Sequence, residues 1–181
     1  MNVISRQEAE KYLSISIESG DTTDQLITQL SNRLADYCDR GEWGPVEERT
    51  EHHDGATQFI LAKVWPIAAI ASVNDDPDHE WVDADAIDAD GYYAGKNGVV
   101  YYEYGSFSEG NESVRLIYSG GYADVESIPQ RIKDAALIQL KNEYLGSNPA
   151  PNMQPFEQHD DEGLLPEVRA LLENYRRKVM F

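Results

Sequence analysis

The residues that could hold a metal or move a proton are scattered. His52, His53 and Asp54 stand together, and imidazole and carboxylate are good ligands. Neighbouring residues of a strand point to opposite faces, however, so two adjacent histidines rarely chelate one ion. His79 and His159 have no motif spacing around them. The acidic turn Asp75-Asp76-Pro77-Asp78 and the series Asp83, Asp85, Asp88, Asp90 could collect a cation weakly, but a calcium loop also needs a central glycine and a terminal glutamate. A solvated acidic face is the simpler reading. Acid–base work by paired carboxylates needs one of the pair in an apolar pocket. Among 33 acids some pair is inevitable, so pairing alone signals nothing. There is no G-x-S-x-G, no H-E-x-x-H and no phosphate-binding loop. Cys38 is the only cysteine and lies in a helical pattern, where it reads as a small buried apolar residue rather than a nucleophile. Asn111-Glu112-Ser113 matches a glycosylation acceptor, read here as chance. Tyr92, Tyr93, Tyr101, Tyr102 and Tyr104 could form a stacking platform, but with so little positive charge nearby cross-strand packing is the better use. These readings leave no catalytic residue, no metal site and no cofactor to assign.

Charge is the strongest global property. The 181 residues carry 33 acidic against 15 basic groups, a formal net of −18. Such a surface does not coat nucleic acid, which requires a cationic stripe. It tolerates high salt, and is compatible with a halophilic source. No run approaches the roughly 20 apolar residues of a membrane helix, and no secretory signal opens the chain.

The elements that must position these groups follow from periodicity. Ser5 and Glu8 stand at capping-box spacing before a short helix ending at Leu13. A second helix is expected over Thr23 to Arg40, capped by Asp21 or Thr22, with Leu26, Ile27, Leu30, Leu34, Tyr37 and Cys38 on one side. The middle is β: Val46 to His53 as a polar edge strand, Thr57 to Val64, and Ile67 to Val73. A hairpin over Tyr92 to Tyr104 then turns at Asn97-Gly98, and Val114 to Ser119 is a last strand. A long helix follows, expected over 128–145, capped by Ser127 and closed by Gly146. The fold class is α+β: a small helical bundle with an inserted antiparallel β region and an extended C-terminal arm ending in a helix.

Residues 1–146 thus form a core and 147–163 a proline-stiffened linker, expected to be extended or disordered in isolation. From Leu164 to Phe181 helical spacing returns, with Pro166 in the first turn and Val168, Leu171, Leu172 and Tyr175 on one face. A lone short amphipathic helix is marginal in water, so it needs a groove to bind.

Two stretches carry a resemblance. The first contains Tyr118, Gly121, Tyr122, Ile128, Pro129, Ala136, Leu140 and Tyr144. The second contains Leu165, Pro166, Val168, Leu171, Leu172, Tyr175 and Arg176. In this order they resemble the head–tail connector (adaptor, or head-completion) family of tailed double-stranded-DNA viruses. The β region matches only in general character. The resemblance implies a non-enzymatic virion protein, made in the host cytoplasm and placed at the capsid vertex. It implies a ring, usually of twelve copies, beneath the portal protein, with DNA passing through without specific binding and a stopper or tail-completion protein attached below. The C-terminal segment would dock on the portal through Leu165, Val168, Leu171, Leu172, Tyr175, Arg176, Arg177 and Phe181. The alternatives are a stopper or tail-completion protein of the same neck, or a small cation-binding β-rich module or hydrolase using the aspartates between Asp75 and Asp90.

Overall fold

The computed structural model describes residues 1–82, 86–147 and 163–177, except the side chain of Lys96. The chain divides into two units: a helical one, Met1–Trp43 with Ala123–Phe181, and a β unit, Gly44–Tyr122, inserted between them in sequence. The fold is α+β.

The helical unit begins with α1, Arg6–Leu13. Both halves of its capping box form: Glu8 N donates to Ser5 Oγ (3.1 Å), and Ser5 N donates to the Glu8 carboxylate (2.7 Å). Helix α2, Thr22–Tyr37, is capped by Asp21, which accepts from Asp24 N (2.7 Å). Its apolar face buries Ile27, Leu30, Leu34 and Ala35, with Cys38 just beyond its end. Burial pushes the Cys38 thiol up to about 12, so no thiolate exists at neutral pH.

Helix α3 runs over Gln130–Ser147 and departs from expectation at both ends. Ser127 does not cap it; its N–H and hydroxyl both donate to Asp124, closing a local turn that competes with the helix start. Gly146 does not stop it either. Glycine in a helix costs only about 1 kcal/mol relative to alanine, which the turns before it outweigh. Ile132, Ala135, Ala136 and Leu140 are buried, as are Lys133 and Gln139. Lys133 Nζ donates to Glu8 (3.0 Å), so α1 is tied to α3 by ions as well as by packing.

The β unit contains two three-stranded antiparallel sheets. The first has the order β1-β6-β3, with β1 over Val46–His53, β3 over Ile67–Asp75 and β6 over Val114–Gly120. Polar β1 lies at its edge, and β6 is the central strand, alternating strictly between buried and half-exposed residues. The second has the order β2-β5-β4: Phe59–Leu61, Val99–Tyr102 and Tyr92–Ala94. The β4–β5 hairpin turns through Asn97 and Gly98, both at positive φ (58° and 75°). Ile60, Val73, Val100, Phe107, Val114, Leu116 and Tyr118 form the unit's core.

At Gly121 the lack of a side chain is required on two counts. Its φ is +87°, and a Cβ there would lie 1.9 Å from the Gly44 carbonyl oxygen. The entry and exit of the β unit therefore touch.

Candidate interaction site

The C-terminal segment is seated on its own chain. After Gly163, helix α4 covers Pro166–Leu172 and continues as a short 3₁₀ turn to Tyr175. Pro166 occupies the first turn, where a missing N–H costs nothing. Leu164, Val168 and Leu172 are buried, and α4 packs against α3 within the helical unit. The apolar face that the sequence leaves looking for a groove therefore has one at home. Helix α3 carries apolar residues on more than one side, and this gives α4 its seat.

Gln139 holds the start of this segment. Its side-chain amide donates to the Gly163 carbonyl (3.1 Å) and accepts from Leu165 N (2.9 Å), reading two backbone groups at once. The same Nε2 donates to Glu143 Oε1 (2.8 Å), and Arg33 Nη2 donates to both Glu143 oxygens (2.6 and 2.7 Å). Gln139 is almost wholly buried and fully used, and such a network fixes a geometry instead of merely tolerating it. At the far end Arg177 N donates to the Cys38 carbonyl (3.3 Å), its guanidinium meets Asp39 (3.5 Å), and the Arg176 guanidinium lies 5.0 Å from the Tyr37 ring.

The eight sequence-chosen residues thus separate. Val168 and Leu172 face inward, and Arg177 is spent on the end of α2. Leu165, Leu171 and Tyr175 are half-buried, and Arg176 is exposed. Phe181 lies outside the described residues, as do Lys178 and the linker from 148 to 162. Gln139, Glu143 and Arg33 were not singled out from sequence. One signal was there: Gln139 and Glu143 lie on the helical stripe that begins at Ala135, and a polar residue on a buried stripe needs a partner.

Elsewhere the chemistry-bearing residues build structure. His52 and His53 point to opposite faces of the first sheet. His52 packs on Trp81 (ring centroids 5.0 Å apart), while His53 faces Glu51. Asp75 accepts from Ser108 N, and Asp76 accepts from the N–H groups of Asp78 and Trp81; both carboxylates close loops. Asp83 and Asp85 lie outside the described residues. Tyr101 stacks on Tyr93 at 5.0 Å, with Phe59 6.1 Å away, as cross-strand partners do.

Glu51 and Asp76 are the buried carboxylates among the described residues of the β unit, and Glu51 is the one set within a strand. It accepts from Tyr118 Oη (2.7 Å) and Lys63 N (3.0 Å) and pairs with Arg49 Nε (2.6 Å). His53 Nε2 lies 3.3 Å away, poorly aligned for a hydrogen bond. Burial alone would raise the Glu51 pKa. His53, the Tyr118 hydroxyl and the Lys63 N–H outweigh it and hold the carboxyl down to about 2. The Tyr118 hydroxyl also accepts from Val64 N (2.8 Å), so one phenol joins β6 to the segment between β2 and β3. Burial and Glu51 push that phenol up.

No protein-family model matches this sequence, and no curated protein matches it in sequence. Similar solved structures come from gene transfer agent particles. One is a chain of the "Neck of empty GTA particle computed with C6 symmetry": it is 13% identical, has a TM-score of 0.59, and the match covers 99% of this chain and 92% of that one. A second is from the "Virion of native gene transfer agent (GTA) particle", 14% identical with a TM-score of 0.54 over the same shares. At these identities the likeness is one of fold, and it extends over nearly the whole chain, so this protein has the fold of a chain found in the neck of a virion-like particle.

Proposed function

We propose that the chain is a structural, non-enzymatic component of the neck of a tailed virus or virus-like particle, and within the neck an adaptor. In this role it forms a ring beneath the portal protein, gives DNA a channel, and attaches the next neck protein. The observation that carries the reading is the fold likeness across both units to a chain of a particle neck. A ring of twelve copies is compatible with the C6 symmetry with which that neck was computed. The strong negative charge suits a passage: an anionic wall repels phosphate and lets DNA slide.

The docking surface proposed for the portal is the outward side of the C-terminal arm. Val168 and Leu172 anchor the helix to its own core; Leu165, Leu171, Tyr175 and Arg176 are the residues left to meet a partner. The test is electron microscopy of the protein mixed with portal, with wild type beside Arg176→Glu/Leu171→Asp. The expected result is a ring stacked on one face of the portal for wild type and none for the double variant. Absence of a stacked ring with wild type overturns the adaptor reading, and a ring on the portal from the double variant overturns the docking surface.

A further inference from the structure

The seat of the arm has a property that the neck reading does not use. What recognises the segment is a compact set of groups on α2 and α3, each facing a group on residues 163–177. The Gln139 amide reads the backbone of Gly163 and Leu165, apolar packing takes Leu164, Val168 and Leu172, and Cys38 and Asp39 at the end of α2 receive Arg177. A second copy of the chain carries the identical segment, so the seat fits it equally well. The fifteen residues 148–162 join Ser147 to Gly163. At about 3.4 Å per residue such a length can reach about 50 Å, more than the width of a small domain. In free solution the tether favours the home seat, because a short linker holds its cargo at about millimolar effective concentration. Where assembly holds a neighbour's seat equally near, that advantage disappears.

We infer that the α2–α3 seat is a binding site for the C-terminal segment of a second copy, and that neighbouring subunits exchange arms when they assemble. This rests on the ring proposed above. Exchange of an identical element creates subunit contact without any new complementary surface. It suits a chain of net charge −18, whose copies repel one another over most of their surface.

The test uses full-length chains. In a Cys38→Ala background, Asp39→Cys is placed on one chain and Arg177→Cys on a differently tagged second chain. The two are mixed under assembly conditions and treated with a short bismaleimide. The expected result is a covalent pair containing both tags, reduced several-fold when Leu172→Asp unseats the arm of the R177C chain. A chain carrying both cysteines controls for cis docking. If it cross-links within itself while the mixed single variants give no two-tag product, exchange is overturned. Microscopy of the same samples separates the two ideas. A ring without cross-chain product sinks exchange and leaves the neck reading standing. Cross-chain product without a ring keeps the seat as a site for a second copy and sinks both the ring and exchange between ring neighbours.

Discussion

The two units bury polar groups in different ways, and the difference sets how each can fail. The β unit centres on an ionised carboxylate: Glu51 gathers a phenol, a guanidinium, an imidazole and a backbone N–H from one sheet and an adjoining segment. The helical unit centres its C-terminal contact on an uncharged amide, Gln139, with an ion pair behind it. A buried carboxylate senses pH, whereas an amide does not. The buried centre of the β unit is therefore acid-labile, whereas in the helical unit the depressed carboxylates, Glu8 and Asp24, lie away from the separable segment 163–177, which is its weak point.

The largest effect that would break this contrast is steric and ionic. Leu172→Asp places an unpaired charge in the seat of α4 and should cost the helical unit about 3–5 kcal/mol. In hydrogen exchange, amides of residues 163–177 should lose protection while those of β6 keep theirs. Equal loss in both would mean that the units do not fail separately.

Acid is next in size. The Glu51 pKa is depressed from 4.5 to about 2, so its stabilisation is fully present above the unfolded value and is lost as pH falls through about 2. The shift corresponds to roughly 3 kcal/mol between pH 5 and pH 2. Chemical denaturation followed at steps across this window should show that loss, and Glu51→Gln should flatten the dependence while lowering stability at pH 7. An unchanged slope in the variant would remove Glu51 from the account.

The smallest is Gln139→Ala. It strands the Gly163 carbonyl and Leu165 N–H, at a cost of about 1–3 kcal/mol, with no change in acid sensitivity. The measurement is the protection of the Leu165 amide against exchange. Full protection in the variant would show that the apolar contacts seat the arm without the amide.

Much of the fold can be read from local rules. The Ser5–Glu8 box, the Asp21 cap and the Asn97-Gly98 turn each state their structure within a few residues. Gly121 belongs to the same class, although its close approach to Gly44 shows only in three dimensions. The ends of α3 misled because Ser127 and Gly146 each have more than one use, and neighbours decide between them. The partner of the arm lies beyond local rules for a deeper reason. Periodicity says that Val168 and Leu172 are covered, never by what, and a tether of fifteen residues makes home and foreign partners look alike. Tyr118 was legible as an inward strand residue, but its hydroxyl's two partners, Glu51 and Val64, lie 67 and 54 positions away, beyond any local pattern.

The contact between Gly121 and Gly44 has a consequence for how such a chain can change over time. A segment that leaves and returns at one point is a graft on its stem. Lengthening its loops, enriching them in acid or exchanging the whole of Gly44–Tyr122 for another piece need not alter the spacing of the stem ends. Descent can then rewrite the sequence of the inserted half while the helices that carry it keep theirs.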